Sequence, residues 1–396
     1  MTMIVYAIFQ AGSGSAETTI IPSAQVGGQY DTNIFNRPKA LLRDAQGNTP
    51  QIDDYVSTVG GAVQLVHETR NIDAKIKVGG DFNAYVHNTP LNYFTTTLTG
   101  QIGLDRWVDQ YVRGATLRIK QSFLYTPRTP GFATGVSQIV AQDGTFQTGI
   151  AGFRANTFTN TTGVTGSYPI TRDLALEGGY TFALRRVGGI LGGGVGGVFF
   201  FNTTSHTWEG GPRYQLTKND SIGAVYRQSF ILQTIPTSNR PFSTTLVTVA
   251  GKYAKTFQEW QLSVEGGLTF IEPIGRSIPS GNLTITTPPE RDTVVYATLL
   301  RGARPSIFLR GGAVINNTAL VGMSHKIYER LQIEGTAAYG YNQFFPDTSN
   351  SIFKSFIGEA RLSYNLTRTI TGDVSYQFSN ISNSATNTEY QFSRHV

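Results

Sequence analysis

Few residues in this chain are spaced for chemistry. Its five histidines, His67, His87, His206, His325 and His395, lie far apart and match no metal-ligand pattern such as H-E-x-x-H. Each reads as a turn or interfacial residue. Gly192–Gly197 spells G-x-G-x-x-G, but a dinucleotide site also needs a helix after it and an acidic residue about 20 positions on. A strand-like run from Val198 to Phe201 follows instead, so the glycines read as a loop. There is no G-x-S-x-G elbow. The chain has no cysteine, which removes disulfides, thiolate catalysis and cysteine-held metals together. Lysines and arginines number 32 against 26 acidic residues, a net charge of +6, and they are dispersed, so nucleic acid is not an expected partner. No catalytic, cofactor or metal site is expected.

The charges that do follow a pattern follow a period of two. Asp73, Lys75, Lys77 and Asp81 alternate with Ala74, Ile76, Val78 and Phe82. The same parity collects Arg118, Lys120, Glu177, Arg185, Arg227, Glu265, Glu334, Glu359, Arg361 and Asp373. A strand sends successive side chains to opposite faces, so these fourteen share the polar face of a series of strands. Seven are basic and seven acidic. On a lipid-facing surface each Lys or Arg at mid-bilayer would cost about 2–4 kcal/mol, so this face is expected to line a lumen. Such a lining either sets ion preference or, by pairing, stiffens the wall.

The strands that carry them are long. Alternation runs from Ile72 to Val86 and recurs at Trp260–Phe270, Leu331–Asn342, Ile370–Ser379 and Leu174–Leu184. Bilayer-crossing strands need about 9–11 residues, with aromatic girdles at both interfaces. Composition agrees: 15% charged residues against roughly 25% in an average domain, with 44 Gly, 24 Phe and 19 Tyr. No apolar run is long enough for a transmembrane helix.

A hairpin unit repeats. Tyr168–Arg172, Tyr214–Lys218, His325–Glu329 and Tyr364–Arg368 each precede a strand that reaches an aromatic residue: Tyr180, Tyr226, Tyr339 or Tyr376. Further short turns are expected at Glu68–Asn71, Asp105–Gln110, Lys255–Glu259 and Arg301–Pro305. Longer connections are expected at Asn36–Ile52, Thr126–Phe146, Val187–Gly197, Ile235–Pro241, Glu272–Glu290, Gln343–Asn350 and Asn380–Asn387. Thr126–Phe146 is long enough to fold inward and narrow a pore. Eight short turns join sixteen strands. A first strand in Ile20–Phe35 and a last one from Glu389 make eighteen, with 16–18 the expected range. The expected fold is all-β: a transmembrane antiparallel up-and-down barrel, closed because open edges in lipid leave backbone groups unpaired.

Residues 1–16 resemble a signal-peptide remnant with a cleavage site after Ala16, although the basic n-region is missing; the alternative is a short apolar first strand. Residues 17–396 then form one barrel domain. The segment Gly28-Gln-Tyr-Asp-Thr-Asn-Ile-Phe-Asn-Arg-Pro38 resembles the opening of the type 2 β-barrel porin group, and repeats such as Tyr364–Arg368 are similar to its periplasmic turns. The resemblance implies the outer membrane of a Gram-negative bacterium, with outer-membrane lipid, lipopolysaccharide and the barrel-assembly machinery as partners. It carries over no site residue. Tyr390–Val396 reads as a final strand cut short, since such barrels usually end on a full strand with a terminal aromatic.

The function expected is a porin-like channel for small polar solutes, as a monomer or a homo-oligomer. Two alternatives are a barrel that exports or anchors surface polysaccharide, and a structural or adhesive barrel with a closed lumen. Since the fourteen inner charges cancel, the net charge must lie in turns, loops and ends, where it can meet anionic headgroups.

Overall fold

A computed structural model describes residues 2–6, 9–13, 16–35, 51–127, 155–190, 202–235, 238–272, 274–288, 291–305, 313–345, 352–384 and 390–396. Twenty strand segments make one antiparallel sheet. They are β1 (Thr2–Tyr6), β2 (Phe9–Ser13), β3 (Ala16–Asp31), β4 (Asp54–Thr69), β5 (Asp73–Tyr85), β6 (Tyr93–Gly103), β7 (Thr116–Thr126), β8 (Ala155–Pro169), β9 (Leu174–Ile190) and β10 (Asn202–Gln215). They continue as β11 (Asp220–Ile235), β12 (Ser238–Thr256), β13 (Gln261–Glu272), β14 (Arg276–Thr286), β15 (Thr293–Pro305), β16 (Ala313–Tyr328), β17 (Leu331–Phe345), β18 (Ile352–Asn365), β19 (Ile370–Ser384) and β20 (Tyr390–His395). One short helix, α1 (Asp105–Asp109), stands in the β6–β7 connection.

These segments form an eighteen-staved barrel. From β3 to β19 every strand pairs with the next in sequence. The last stave is shared by the two ends of the chain. β1 and β2 lie on β3 in one register, Thr2 opposite Gly27 and Ser13 opposite Ala16. β1 also covers the start of β19, Thr2 opposite Asp373 and Val5 opposite Ile370. β20 covers the rest of that edge, His395 opposite Phe378 and Tyr390 opposite Asn383. Both run antiparallel to β19 and so follow one line. β2 passes beyond the start of β19, which leaves the seam incompletely laddered there. The apolar segment before Ala16 is thus strand-paired, and the half-length β20 is continued along β19 by β1.

The short-turn end shows why the hairpin unit repeats. In three of the four repeats a threonine hydroxyl oxygen accepts from the N–H groups two and three residues on. Thr171 takes Asp173 and Leu174, Thr217 takes Asn219 and Asp220, and Thr367 takes Thr369 and Ile370. Thr69 does the same for Asn71 and Ile72. The hydroxyl holds the tight turn and satisfies donors that the ladder leaves open. The fourth repeat has Tyr328 at that position, and there the ladder shifts register between Lys326 and Tyr328.

Three expected connections need correction. Arg301–Pro305 is not a turn but the end of β15, Glu272–Glu290 is not one long loop because it contains β14, and Ile235–Pro241 is not a longer connection because β12 begins at Ser238, opposite Ile235. β14 misleads because Pro279, Gly281 and Asn282 are turn-type residues. Pro279 is accommodated because the β14–β15 ladder runs only from Thr286 to Gly281. Beyond it Pro279 faces an open edge, where a missing N–H costs no ladder bond. Gly275 makes the tip of β13–β14 with φ 71°, and its N–H bonds the Ile271 carbonyl at 2.9 Å.

The expected inward loop Thr126–Phe146 and the glycine run Gly192–Gly197 lie almost wholly outside the described residues. Inward packing is visible elsewhere. Inner-face Ile231, Leu246, Ile271 and Ile278 form one apolar cluster with Ala313 and Ile315, and Ala303 packs on it. By parity the last three belong to the outer face, whose exposed members here include Leu299 and Val321. The ends of β15 and β16 therefore lie on the lumen side of β11–β14, past the point where β14 and β15 separate. A second cluster joins Ile34 and Phe35 to Val56, Tyr85 and Leu91. The segment after β3 thus folds over the lumen.

That segment also fastens the seam. Asp31 is buried and holds Arg394 of β20 by two bonds, Nε to Oδ1 at 2.9 Å and Nη2 to Oδ2 at 2.6 Å. The Thr32 N–H donates to the His395 carbonyl at 3.0 Å, and the His395 N–H returns to the Thr32 hydroxyl at 2.8 Å. Asp54, the strand partner of Asp31, is equally buried and accepts from the His87 and Asn88 N–H groups and from both their side chains. Side-chain exposure in the Asp31–Arg394 pair is 1% and 13%, so removing one partner strands a desolvated charge. We predict that Arg394→Met lowers stability by about 3–5 kcal/mol, while Asp31→Leu with Arg394→Met recovers most of the loss. Thermal unfolding of the detergent-solubilised barrel measures both; equal melting of single and double variants would show that the pair is not a clamp.

Candidate functional site

The outer face of the sheet carries the exposed apolar residues: Val59, Val63, Val78, Phe82, Leu176, Trp208, Tyr226, Leu268, Val321, Tyr339 and Val374 among them. The buried set contains Asp31, Asp54, Arg185, Gln233, Asn316 and Asn342. This is the reverse of a water-soluble barrel. The inner wall is therefore where polar chemistry can take place.

All fourteen expected charges have the strand parity opposite to the exposed apolar residues. They fall into two groups. From β9 to β13 acids and bases neutralise one another. Arg227 bridges Glu209 at 3.0 Å and Glu265 at 3.1 Å, Lys252 reaches Glu265 at 3.8 Å, and Arg213 holds Glu177 at 2.8 Å. Elsewhere Arg361 holds Asp373 at 3.0 Å, and Arg118 holds Asp105 on α1 at 2.9 Å. Glu334 is the strand partner of Arg361, Glu359 accepts from Gln377, and Asp81 accepts from Gln25. Arg185 lies buried near the long-loop end. Most of these pairs are half-exposed, so each contributes about 0–1 kcal/mol and serves to place charge rather than to hold the fold.

From β4 to β8 the wall differs. Lys75, Lys77 and Lys120 surround a recess of about 420 Å³, with Gln64, Gln101 and Thr161 also lining it. Gln101 is the strand partner of both Lys75 and Lys120, so the three side chains form one row. Lys75 has only a long contact to Asp73, 3.9 Å between half-exposed groups. Lys77 and Lys120 have no carboxylate partner among the described residues. An equal count of signs thus conceals an uneven layout, with a basic patch on one arc of wall and paired charges on another.

Sequence parity missed Glu209, Arg213 and Lys252. Gly210, Gly211 and Pro212 interrupt the apolar alternation that would have marked β10. Parity also gave no sign of the long cross-strand approach of Tyr296, whose ring lies over its partner Gly322 and occupies the space a Cβ would need. Among the described residues no group of three His, Asp or Glu side chains is placed to hold a metal ion. Among the described residues no helix is long and apolar enough to cross a membrane.

No family model matches the chain, and no curated protein does. Solved structures of similar shape include the FrpB iron transporter from Neisseria meningitidis in its F5-1 apoprotein form, at TM-score 0.45 and 9% identity over 100% of this chain and 80% of that one. OpdK, an outer membrane protein from Pseudomonas aeruginosa, gives 0.42 and 12% over 96% of each. A BenF-like porin from Pseudomonas fluorescens Pf-5 gives 0.40 and 11% over 96% and 97%. At these values the likenesses add nothing to the barrel that the chain's own strand pairing defines.

The absence of cysteine makes the two faces directly testable. Lys77→Cys and Gln101→Cys are expected to react with a charged thiol reagent an order of magnitude faster than Val78→Cys and Ile102→Cys on the reconstituted barrel. Equal rates, read by mass spectrometry, would refute the assignment of faces.

Proposed function

We propose that the chain is an outer-membrane barrel of a Gram-negative bacterium, acting as a porin-like channel for small polar solutes. The observation that carries this reading is the inverted polarity of the wall, apolar outside and charged inside. An exposed apolar band on a nearly closed sheet is stable where lipid replaces water around it. Aromatic residues mark both rims of the band: Tyr168, Tyr214, Tyr364 and Trp260 toward the short turns, and Tyr30, Tyr55, Phe230 and Phe270 toward the long loops. Eighteen strands enclose more space than side chains fill. The resemblance of Gly28–Pro38 to the type 2 β-barrel porin group agrees with this reading.

The basic patch gives the channel a direction of preference. Lys75, Lys77 and Lys120 converge on one recess of the wall, where the sole carboxylate contact among the described residues is the long one from Lys75 to Asp73, so anionic solutes gain at that recess. A second reading, a barrel whose lumen is closed, draws support from the β15–β16 ends that pack inside β11–β14. Both readings place lipid, lipopolysaccharide and the assembly machinery among the partners, and neither requires more than one copy.

Planar-bilayer recording separates them. The channel reading expects stepwise conductance, with a reversal potential in a salt gradient that moves toward cation preference in Lys75→Gln, Lys77→Gln, Lys120→Gln combined. Silence of the folded, inserted barrel would remove the channel reading in favour of the closed one.

A further inference from the structure

Beyond the fourteen expected inner charges, some strand charges have the parity of the exposed apolar face: Arg186, Asp220, Lys255 and Glu272 do, and so do two more that stand in one row. Arg301 on β15 shares its face with exposed Leu299, and Lys354 on β18 shares its face with exposed Phe356. They belong to one row of strand partners, Arg301–Asn317–Tyr341–Lys354. The row crosses the outer face toward the long-loop end. Three strand spacings separate its two cations, about 14 Å, and both side chains are long enough to reach inward along the row.

Arg301 is held in place. Its Nε donates to the Pro279 carbonyl at 3.1 Å, across the split between β14 and β15, and its Nη1 donates to Asn317 Oδ1 at 2.5 Å. Asn317 in turn donates to the Tyr341 carbonyl at 3.0 Å. Neither cation has a carboxylate partner among the described residues. Below the row the outer face is hollow. Ala297, Ala319 and Ala337 stand between Leu283, Tyr339 and Phe356 and leave a groove of about 380 Å³ that is almost entirely apolar. A second recess of about 520 Å³ joins the groove to Arg301 and Tyr341.

We propose that this surface binds a phosphate-bearing glycolipid of the leaflet at the long-loop end. Its phosphates lie between Arg301 and Lys354, and an acyl chain lies in the alanine-floored groove. The inference rests on the reading of the chain as an outer-membrane barrel. Charge selects the occupant: two cations on a lipid-facing wall gain from an anion, whereas a second copy of the chain would bring the same cations against them. The Arg fork suits phosphate, and Lys adds a point charge beside it. Acyl packing supplies the apolar half of the contact.

Native mass spectrometry of the full chain tests this, with bisphosphorylated lipid A as the probe and the same lipid stripped of phosphate beside it. The phosphorylated lipid is expected to be retained, and Arg301→Gln with Lys354→Gln to reduce retention by an order of magnitude. Ala319→Leu, which fills the groove, is expected to do the same with both cations intact, and Arg301→Lys to keep most of the binding. Equal retention of the stripped lipid, displacement by inorganic phosphate, or a dimer lost on Ala319→Leu would each overturn the proposal. Conductance is recorded in parallel. A conducting barrel without lipid retention overturns this inference alone, and a silent barrel that retains lipid overturns the channel reading alone.

Discussion

Much of this structure follows from one requirement: a sheet with an apolar exterior must leave as little open edge as it can. Each strand from β3 to β19 satisfies its neighbours in sequence, which costs nothing but a turn. The remaining edge is covered by both ends of the chain in succession. Because β20 spans only part of β19, the join needs reinforcement, and the buried Asp31–Arg394 pair with the Thr32–His395 bonds supplies it. Burying that ion pair would be wasteful as a source of net stability, but it fixes which edge meets which and in what register.

Closure also divides the side chains into two populations with different physics. Outside, the residues are chosen for transfer out of water, and even small departures such as Arg301 and Lys354 stand out. Inside, wet ion pairs are individually weak, so they act through where they put charge. The β9–β13 arc is neutralised internally, whereas the β4–β8 arc keeps three lysines. A wall whose signs nearly balance can therefore still have a polarity across it.

Much of this was legible from period-two alternation, because a face committed to one solvent repeats every second residue for a whole strand. That is why Asp73, Lys75 and Lys77, or Glu334 and Asp373, share the face opposite to the exposed apolar residues. The errors arose where local residue types speak against the tertiary setting. Pro279 and Gly281 look like turn residues but sit in β14, beside an edge that tertiary splitting has freed. Glu209 and Arg213 are interrupted by Gly-Gly-Pro, so their strand carries no clean alternation. The Tyr30–Phe35 segment stood out as a motif, but its work depended on partners invisible nearby: Arg394 for Asp31, and Val56 and Tyr85 for Ile34 and Phe35. The inward tuck of β15–β16 had no local signature either, since Ala313 and Ile315 keep their outer parity.

The seam clamp joins residues 363 positions apart in the chain. No contact of such separation can form until everything from residue 31 to residue 394 is present, and loop-closure entropy opposes it until the intervening strands are in place. The ladder can grow hairpin by hairpin, four of them held by threonine turns, but the cylinder is completed by its least local contact. Until then the sheet presents two unsatisfied margins, and unpaired margins of this kind are where mispairing starts.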